Sequence, residues 1–316
     1  MKPISLILLT AGRSDYLQEC LESLACQTQK AGRLVLVNDG PPLSRGASEL
    51  AQVVSPEVTL LKTPQPRSGQ WQAFRRGLQA LKDHHPFAVI HDDDRLKANY
   101  IETLSAFAAA QKSPWICSHN LEVFSKQTES THLILPREPE PFVLHGQEEV
   151  CLRYSQSFIP FPGTCFGISP LAVADRLKEE YREMADVVLL CECAQVAKIF
   201  FQPKPIYEYR RHPEQVSERM DHSLEDLLQS YLMEKTRGTL LETRVWRNLE
   251  KRRADRYFSW AWQTGRFTGY PFRRDFSWWL AFRPLRNRKA LTLTILVREI
   301  WSRIRSRGGD SRLIQG

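Results

Sequence analysis

The sequence lacks the features that would place the protein in a membrane or outside the cell. It contains no stretch of about 18 uninterrupted apolar residues, so no membrane-spanning helix is expected. The N-terminus, Met1-Lys2-Pro3-Ile4, runs directly into a strand-like segment. It lacks the apolar core and the small-residue cleavage site of a signal peptide. We therefore expect a cytoplasmic protein.

The cysteine pattern excludes two further kinds of site. The chain has 7 cysteines, an odd number. None of their spacings is the Cys-x-x-Cys of a zinc site or a thioredoxin-like redox site. Reduced, mostly buried thiols are what we expect of such a pattern in a cytosolic protein.

The charge of the chain is unevenly distributed. The chain has 316 residues, enough for one domain and an appendage, and its 42% hydrophobic content excludes global disorder. Residues 1–221 contain 24 Lys and Arg against 27 Asp and Glu, whereas residues 222–316 contain 20 against 9 and also six of the eight Trp. The sequence therefore predicts a domain over 1–221 and a basic, Trp-rich, helical extension over 222–316.

Short apolar runs alternate with helical periodicity in the first domain. Strands are predicted over residues 4–9, 34–37, 58–61 and 87–90, and helices over 16–27, 70–81 and 100–110. Such alternation is typical of an α/β protein with a mostly parallel sheet. Beyond a less regular region, helices are predicted over 171–182 and 187–197 and an edge strand over 199–209.

An acidic run follows the fourth predicted strand: His91-Asp92-Asp93-Asp94. In open α/β sheets, ligands bind just beyond the carboxyl ends of the strands. Three adjacent carboxylates repel one another unless a cation lies among them, and a hard divalent ion such as Mg²⁺ or Mn²⁺ would supply that charge. A solvated acidic turn is the alternative interpretation.

Polar residues also follow the other predicted strands. Thr10, Ala11 and Arg13 follow the first strand, Asp39 follows the second, and Arg67 precedes the helix that leads to the fourth. A carboxylate can accept a hydrogen bond from a base N–H, and a metal ion can hold a diphosphate. Each residue alone is weak evidence, because Asp-Gly pairs are most often simple turns. The ordered set predicts a nucleotide site.

With these segments in order, the sequence resembles an inverting family 2 glycosyltransferase with the Rossmann-like GT-A fold. The resemblance covers residues 3–220, and the matching segments are residues 4–10, 21–28, 34–40, 91–96 and 209–217. It implies an enzyme that moves a sugar from a nucleotide-diphospho-sugar. It does not reach the C-terminal extension.

The resemblance also implies roles for individual residues. Those that would bind the donor nucleotide are Thr10, Ala11, Arg13, Asp39, Arg67, Asp92 and Asp93. The metal motif, Asp-x-Asp, fits either Asp92-x-Asp94 or His91-x-Asp93. We choose Asp92 and Asp94 because this register keeps two carboxylates, with His212 as a further ligand. His91 is either a ligand or a residue that only packs.

The resemblance further implies that Asp186 is the catalytic base, which would take the proton of the acceptor hydroxyl. Glu183 and Glu192 are its rivals, and a helix N-cap is the structural alternative for Asp186. Arg210 or Arg211 would pair with the diphosphate, unless both belong to an exposed basic loop. The Phe residues within 158–167 line either the acceptor site or the core.

The composition of the C-terminal extension indicates what the protein could bind. Apolar residues within 290–306 follow helical spacing with Arg residues between them, which is typical of a helix at an anionic membrane surface. This pattern would suit a glycan or lipid-linked acceptor in cell-surface polysaccharide or lipopolysaccharide synthesis, at the inner face of the cytoplasmic membrane. A small helical core and nucleic-acid binding are the alternatives, and we do not expect nucleic acid to be the partner.

Two other functions remain open at this point. One is a non-catalytic GT-A-like protein whose basic tail binds membrane or nucleic acid. The other is a sugar nucleotidylyltransferase. The latter would need a glycine-rich, basic phosphate loop after the first strand, and none is evident there.

Overall fold

The computed structural model describes residues 3–12, 14–63, 68–82, 86–125, 128–212 and 222–252. The chain divides into two compact units, residues 1–242 and 243–316. Of the second unit only residues 243–252 are described, and they are helical. The interval 290–306 lies outside the described residues. Within the described part of the chain, no helix combines the length and the apolar content needed to cross a bilayer.

Strands and helices alternate through the first unit. Its first half contains β1 (Ser5–Thr10), α1 (Ser14–Ala25), β2 (Arg33–Asn38), α2 (Arg45–Val54), β3 (Val58–Lys62), α3 (Gln70–Leu81), β4 (Phe87–His91), β5 (Arg95–Leu96) and α4 (Tyr100–Ala110). Its second half contains β6 (Trp115–Ser125), β7 (Thr128–Leu133), β8 (Phe142–Leu144), α5 (Gln147–Gln156), β9 (Cys165–Phe166), α6 (Leu171–Ala174), a 3₁₀ helix (Glu179–Met184), α7 (Ala185–Cys193), β10 (Lys198–Arg211) and α8 (His222–Thr236).

The strands form one sheet in the order β3-β2-β1-β4-β9-β6-β10-β5. The strands β3, β2, β1 and β4 are mutually parallel, and β10 is parallel to β6. The short β9 lies antiparallel between β4 and β6 and joins the two parallel groups. The predicted α/β fold with a mostly parallel sheet is confirmed.

Helices cover both faces of the sheet, as a doubly wound fold requires. Ile4, Leu6 and Leu8 point to one face, where they form a buried cluster with residues of α1, α2 and α4. Ile7 lies on the opposite face against α3, where Gly77 lets the helix approach: a Cβ on this glycine would lie 2.6 Å from Cγ2 of Ile7. The near-continuous apolar runs of the central strands follow from this two-sided burial.

Three predicted elements differ from the observed ones. The predicted helix over 171–182 is divided into α6 and the 3₁₀ helix, because Lys178 between them has an extended backbone. The predicted edge strand is the interior strand β10, since β5 and β8 both pair with its outer side. The helix α8, placed in the extension by its composition, belongs to the first unit, where Tyr231 and Leu232 are buried.

The close approach of α3 to β1 can be tested with two helical glycines. We expect Gly77→Ala to lower the free energy of unfolding by about 1–2 kcal/mol, because the overpacking cost exceeds the gain in helix propensity. Gly46 in α2 is the matched control, since a Cβ there would meet nothing within 4 Å. Gly46→Ala should leave stability unchanged or raise it. Equal urea midpoints for the two variants would contradict the packing described here.

Candidate active site

The candidate site lies at the carboxyl edge of the parallel strands. Because β1 pairs with both β2 and β4, the residues that end these strands are neighbours: Thr10 is opposite Asn38, and Leu9 is opposite His91. The loops after the three strands therefore meet at one place. The sequence predicts that the residues following these strands share one edge of the sheet, and the parallel pairing places them there.

Asp92 ties the acidic run to the loop after β1. Its Oδ2 accepts hydrogen bonds from the hydroxyl of Thr10 at 2.6 Å and from the backbone N–H of Ala11 at 3.1 Å. The Thr10 hydroxyl oxygen in turn accepts a bond from the Gly12 N–H. Asp92 is almost fully buried. Its carboxylate thus orders the backbone of the β1 loop.

Asp93 contacts His212, which follows the last residue of β10. Its Oδ2 lies 3.0 Å from Nε2 of His212, and both side chains are buried. The ring of His212 also packs against that of Tyr16, with the centroids 5.1 Å apart. The two residues come from distant parts of the sequence, and the structure brings them together.

Asp94 is the most deeply buried of the three acids, with no exposed surface. Its Oδ2 accepts a hydrogen bond from the hydroxyl of Tyr207 at 2.9 Å, and its Oδ1 accepts one from the backbone N–H of Arg210 at 2.8 Å. Burial, followed by the charge of Asp93, raises the pKa of the Asp94 carboxyl well above its ordinary value. An ionised Asp94 therefore requires compensating charge or donors.

The guanidinium of Arg210 is buried beneath the acidic run. It donates from Nε to the carbonyl oxygen of Asp93 at 2.6 Å and forms an ion pair with Glu19. It also lies over the rings of Tyr16 and Phe124, with Cζ 4.7 and 4.6 Å from their centroids. The polar and aromatic contacts of the Arg210 guanidinium are thus made with groups of the protein itself.

Arg211, the next residue, has an exposed side chain. The sequence left open whether Arg210 or Arg211 pairs with a diphosphate. Since the guanidinium of Arg210 is almost fully buried among protein groups, Arg211 is left as the candidate for that role, and an exposed basic residue is the alternative for it. The contacts of Arg210 were not expected, because they involve α1 and β6, which are far from it in sequence.

A group of possible metal ligands lies in this cluster. Ligand atoms of His91, Asp93 and Asp94 all lie within 4.8 Å of one another. Carboxylate oxygens and an imidazole nitrogen suit a divalent ion such as Mn²⁺ or Mg²⁺. Since the Asp92 carboxylate faces Thr10, the geometry favours the register His91-x-Asp93 over our choice of Asp92 with Asp94. Asp94 belongs to the group in either case.

His91 also has a neighbour outside the acidic run. Its Nε2 lies 2.8 Å from Nε2 of Gln70, at the start of α3. The contact with Gln70 fits the packing interpretation of His91, and its place in the group of possible ligand atoms fits ligation, so both stay predictions.

Asp39 organises the loop between β3 and α3. Its Oδ1 accepts bonds from the Thr63 hydroxyl and from the backbone N–H and hydroxyl of Ser68, and its Oδ2 accepts one from the N–H of Gly69. Burial favours the neutral form, but these hydrogen bonds outweigh it and lower the pKa of Asp39. Arg13 and Arg67, the two basic residues predicted nearby, lie outside the described residues.

Asp186 lies in the first turn of α7, and Met184 rather than Asp186 is the N-cap residue. Burial raises the pKa of the Asp186 carboxyl, and hydrogen bonds from the backbone N–H groups of Val187 and of Asp186 itself oppose this rise without cancelling it. A raised pKa makes this carboxylate a stronger proton acceptor than an ordinary aspartate.

Glu192, one of the two alternatives to Asp186 as catalytic base, is bound by side chains of α8. It accepts a hydrogen bond from the Tyr231 hydroxyl at 2.7 Å and forms an ion pair with Nζ of Lys235 at 2.9 Å. Burial opposes its ionisation, but the contacts with Lys235 and Tyr231 lower the pKa of Glu192 overall. These contacts favour a structural role. The side chain of Glu183 is not among those described.

The aromatic segment 158–167 has two parts. Phe166 stacks on Phe87 at 5.2 Å, and Phe161 packs edge-on against Phe74 at 6.0 Å, so these rings belong to the core. Phe158 is 37% exposed. Core packing therefore accounts for Phe161 and Phe166, and the acceptor-site interpretation stays a prediction for the exposed Phe158.

Comparison with known proteins decides the family. A model described as "Glycosyl transferase family 2" matches residues 5–176. The chain belongs to this family. It is thus a glycosyltransferase, and the predicted family is confirmed. A search of curated protein sequences found no match.

Solved structures support the GT-A fold. The crystal structure of S. aureus TarS 1–349 is similar with a TM-score of 0.56 and 16% identity over 83% of this chain and 74% of that chain. The same fragment in complex with UDP-GlcNAc gives 0.58 and 14%, with the same coverage. Another crystal structure of S. aureus TarS gives 0.56 and 15% over 83% of this chain and 45% of that chain. At these identities the likeness establishes the fold alone.

The hydrogen bonds of Asp39 can be tested by Asp39→Asn. We expect a loss of about 2–3 kcal/mol in unfolding free energy at pH 7, since one amide nitrogen would face backbone N–H donors. Because the folded-state pKa is lowered, the stabilisation by the carboxylate is complete above the unfolded value of about 3.9 and is lost as pH falls through the folded-state value. Urea unfolding at several pH values measures both. A difference between variant and wild type that does not shrink at acid pH would contradict this account.

Proposed function

We propose that the protein is a metal-dependent, inverting glycosyltransferase that moves a sugar from a nucleotide-diphospho-sugar to a glycan or lipid-linked acceptor. The observation that carries the proposal is the meeting of Asp39 with the group His91, Asp93 and Asp94 at one edge of the sheet of a family 2 chain. The TarS fragment solved in complex with UDP-GlcNAc makes a UDP-sugar the first donor to test.

In this proposal the two acidic sites divide the donor between them. Asp39, kept ionised by its hydrogen bonds, accepts from an N–H of the base, and the ordered loop of Thr10 and Ala11 lies beside the nucleoside. The diphosphate binds beside the group His91, Asp93 and Asp94. A divalent ion bound among them would neutralise the charge that develops on the leaving diphosphate.

The protein supplies a base and a cation for the transfer. Asp186 takes the proton of the acceptor hydroxyl while that oxygen bonds to the anomeric carbon. The bond from this carbon to the diphosphate oxygen breaks in the same step, and the leaving group keeps the electron pair. A single displacement inverts the anomeric configuration. Arg211, exposed at the end of β10, pairs with the phosphate oxygens. His212 either holds the Asp93 carboxylate in place or is itself a metal ligand beside it.

We also propose the acceptor class and place of action. The exposed ring of Phe158 offers a stacking surface for an acceptor sugar. The basic, Trp-rich composition beyond residue 222 supports an acceptor at an anionic membrane surface, in cell-surface polysaccharide or lipopolysaccharide synthesis. No observation favours the non-catalytic or nucleotidylyltransferase alternatives.

The base assignment can be tested with two acids of α7. We expect Asp186→Asn to reduce transfer by about 10²–10⁴-fold while nucleotide binding survives, because only the proton acceptor is lost. Since burial raises the pKa of Asp186, its charge opposes folding at neutral pH, and the variant should be at least as stable as wild type.

Glu192→Gln is the matched control for this experiment. It should retain transfer but lose about 1–2 kcal/mol of stability, since it weakens the contacts with α8. Rates of sugar transfer and urea midpoints are measured for both proteins. Normal transfer by Asp186→Asn, or a transfer defect confined to Glu192→Gln, would assign the base elsewhere.

The donor can be identified by a binding screen of nucleotide-sugars by calorimetry, with and without Mn²⁺. We expect one donor to bind, at least tenfold more tightly with Mn²⁺, since the ion offsets the repulsion between carboxylates and diphosphate. Transfer from that donor should give a product of inverted anomeric configuration by NMR. Metal-independent binding without transfer would favour the non-catalytic alternative, and release of diphosphate from a nucleoside triphosphate would favour a nucleotidylyltransferase.

A further inference from the structure

Tyr207 on β10 links the two ends of the acidic run through one oxygen. Its hydroxyl donates to Oδ2 of Asp94 at 2.9 Å and accepts from the backbone N–H of His91 at 3.2 Å. The N–H of Asp94 also bonds to the His91 carbonyl at 3.4 Å. The first and last residues of the run are thus joined twice, once within the turn and once through the phenol.

Packing holds the ring of Tyr207 in place. The side chain is fully buried, and a Cβ on Gly163 would lie 2.5 Å from Cδ2 of the ring. The ring of Tyr100 packs against it at an interplanar angle of 59°, with the centroids 6.0 Å apart. The phenol oxygen has little freedom to move.

A second residue of β10 holds the middle of the run. The backbone N–H of Arg210 bonds to Oδ1 of Asp94, and its Nε bonds to the carbonyl oxygen of Asp93. Together with the Tyr207 hydroxyl, these groups give β10 three attachment points on the acidic run. A ligand group that is held in one geometry before the ion arrives binds that ion more tightly.

We propose that Tyr207 is a positioning residue: it holds Asp94 and the His91 backbone so that the ligand atoms of His91, Asp93 and Asp94 face one another, and Arg210 holds the adjacent carbonyl. This inference rests on the proposed metal-dependent function. Tyr207 is not itself a metal ligand. Through Tyr207 and Arg210, β10 sets the affinity of the ligand group for the metal ion. Loss of such outer partners typically costs 10–100-fold in metal affinity.

The test measures binding of Mn²⁺ alone to the full chain by electron paramagnetic resonance of the free ion. Tyr207→Phe keeps the ring and removes the bridging oxygen, so its Kd for Mn²⁺ should rise about 10–100-fold. In transfer assays the metal concentration for half-maximal rate should rise, with much of kcat regained at saturating Mn²⁺. A residue needed only for stability would not produce this separation.

Tyr100→Phe is the matched control. It removes another fully buried hydroxyl, from a neighbouring ring, whose hydrogen bond goes to the carbonyl of Gly163 at 2.8 Å. We expect a lower melting temperature and an unchanged Kd for Mn²⁺. Arg210→Lys is the second test variant, because it keeps the charge beside Glu19 and loses the Nε–H at Asp93. Its Kd should rise in the same direction as that of Tyr207→Phe.

The outcomes separate this inference from the function on which it rests. Wild-type affinity in Tyr207→Phe, or an equal loss in Tyr100→Phe, overturns the positioning role and leaves the proposed function intact. If Tyr207→Phe does not fold, Arg210→Lys decides: weakened Mn²⁺ binding supports the role, and unchanged binding overturns it. A wild-type protein that binds no Mn²⁺ overturns both the metal-dependent function and this inference.

Discussion

Repulsion among three adjacent carboxylates at the buried end of β4 is the constraint around which the site is arranged. Charges attract and repel more strongly away from water, so each acid needs its own donors. The β1 loop serves Asp92, His212 serves Asp93, and β10 serves Asp94 through Tyr207 and a backbone N–H. Two strands, β1 and β10, and the residues that follow them are thereby held to the short turn after β4. The negative charge that these contacts leave uncompensated lies where a diphosphate and a divalent ion are proposed to bind.

The strand β10 makes this arrangement possible. It runs parallel to β6, and their register shifts between Gln202 and Tyr207. After this shift Tyr207 and Arg210 lie against the acidic run, and the guanidinium is enclosed by Tyr16 and Phe124. All of these β10 residues lie beyond residues 5–176, the part matched by the family model. The segment matched by the family model thus contains the three acids and the groups that hold Asp92, whereas β10 and His212 after it supply the groups that hold Asp93 and Asp94.

The helix α7 shows how two carboxyls of one element acquire opposite properties. Burial without a cationic partner among its named contacts raises the pKa of Asp186, whereas Lys235 and Tyr231 of α8 lower that of Glu192. A pair of acids separated in this way provides one group suited to accept a proton and one suited to hold the fold. The attachment of α8 through Glu192 also explains why this helix belongs to the first unit despite the basic composition that begins near it.

Local sequence patterns were enough for the strands β1 to β4, for α1, α3 and α4, and for the edge at which the acids lie, because apolar periodicity reports which residues are buried and parallel strands end together. They missed α2, the interior position of β10 and the contacts of Tyr207 with the acidic run. Nor did they decide the direction of each carboxylate, since the partners lie 82 residues away for Asp92, 113 for Asp94 and 119 for Asp93. Periodicity identifies a buried acid, but only the tertiary structure decides which donors reach it, because those donors come from strands and loops that the fold brings together.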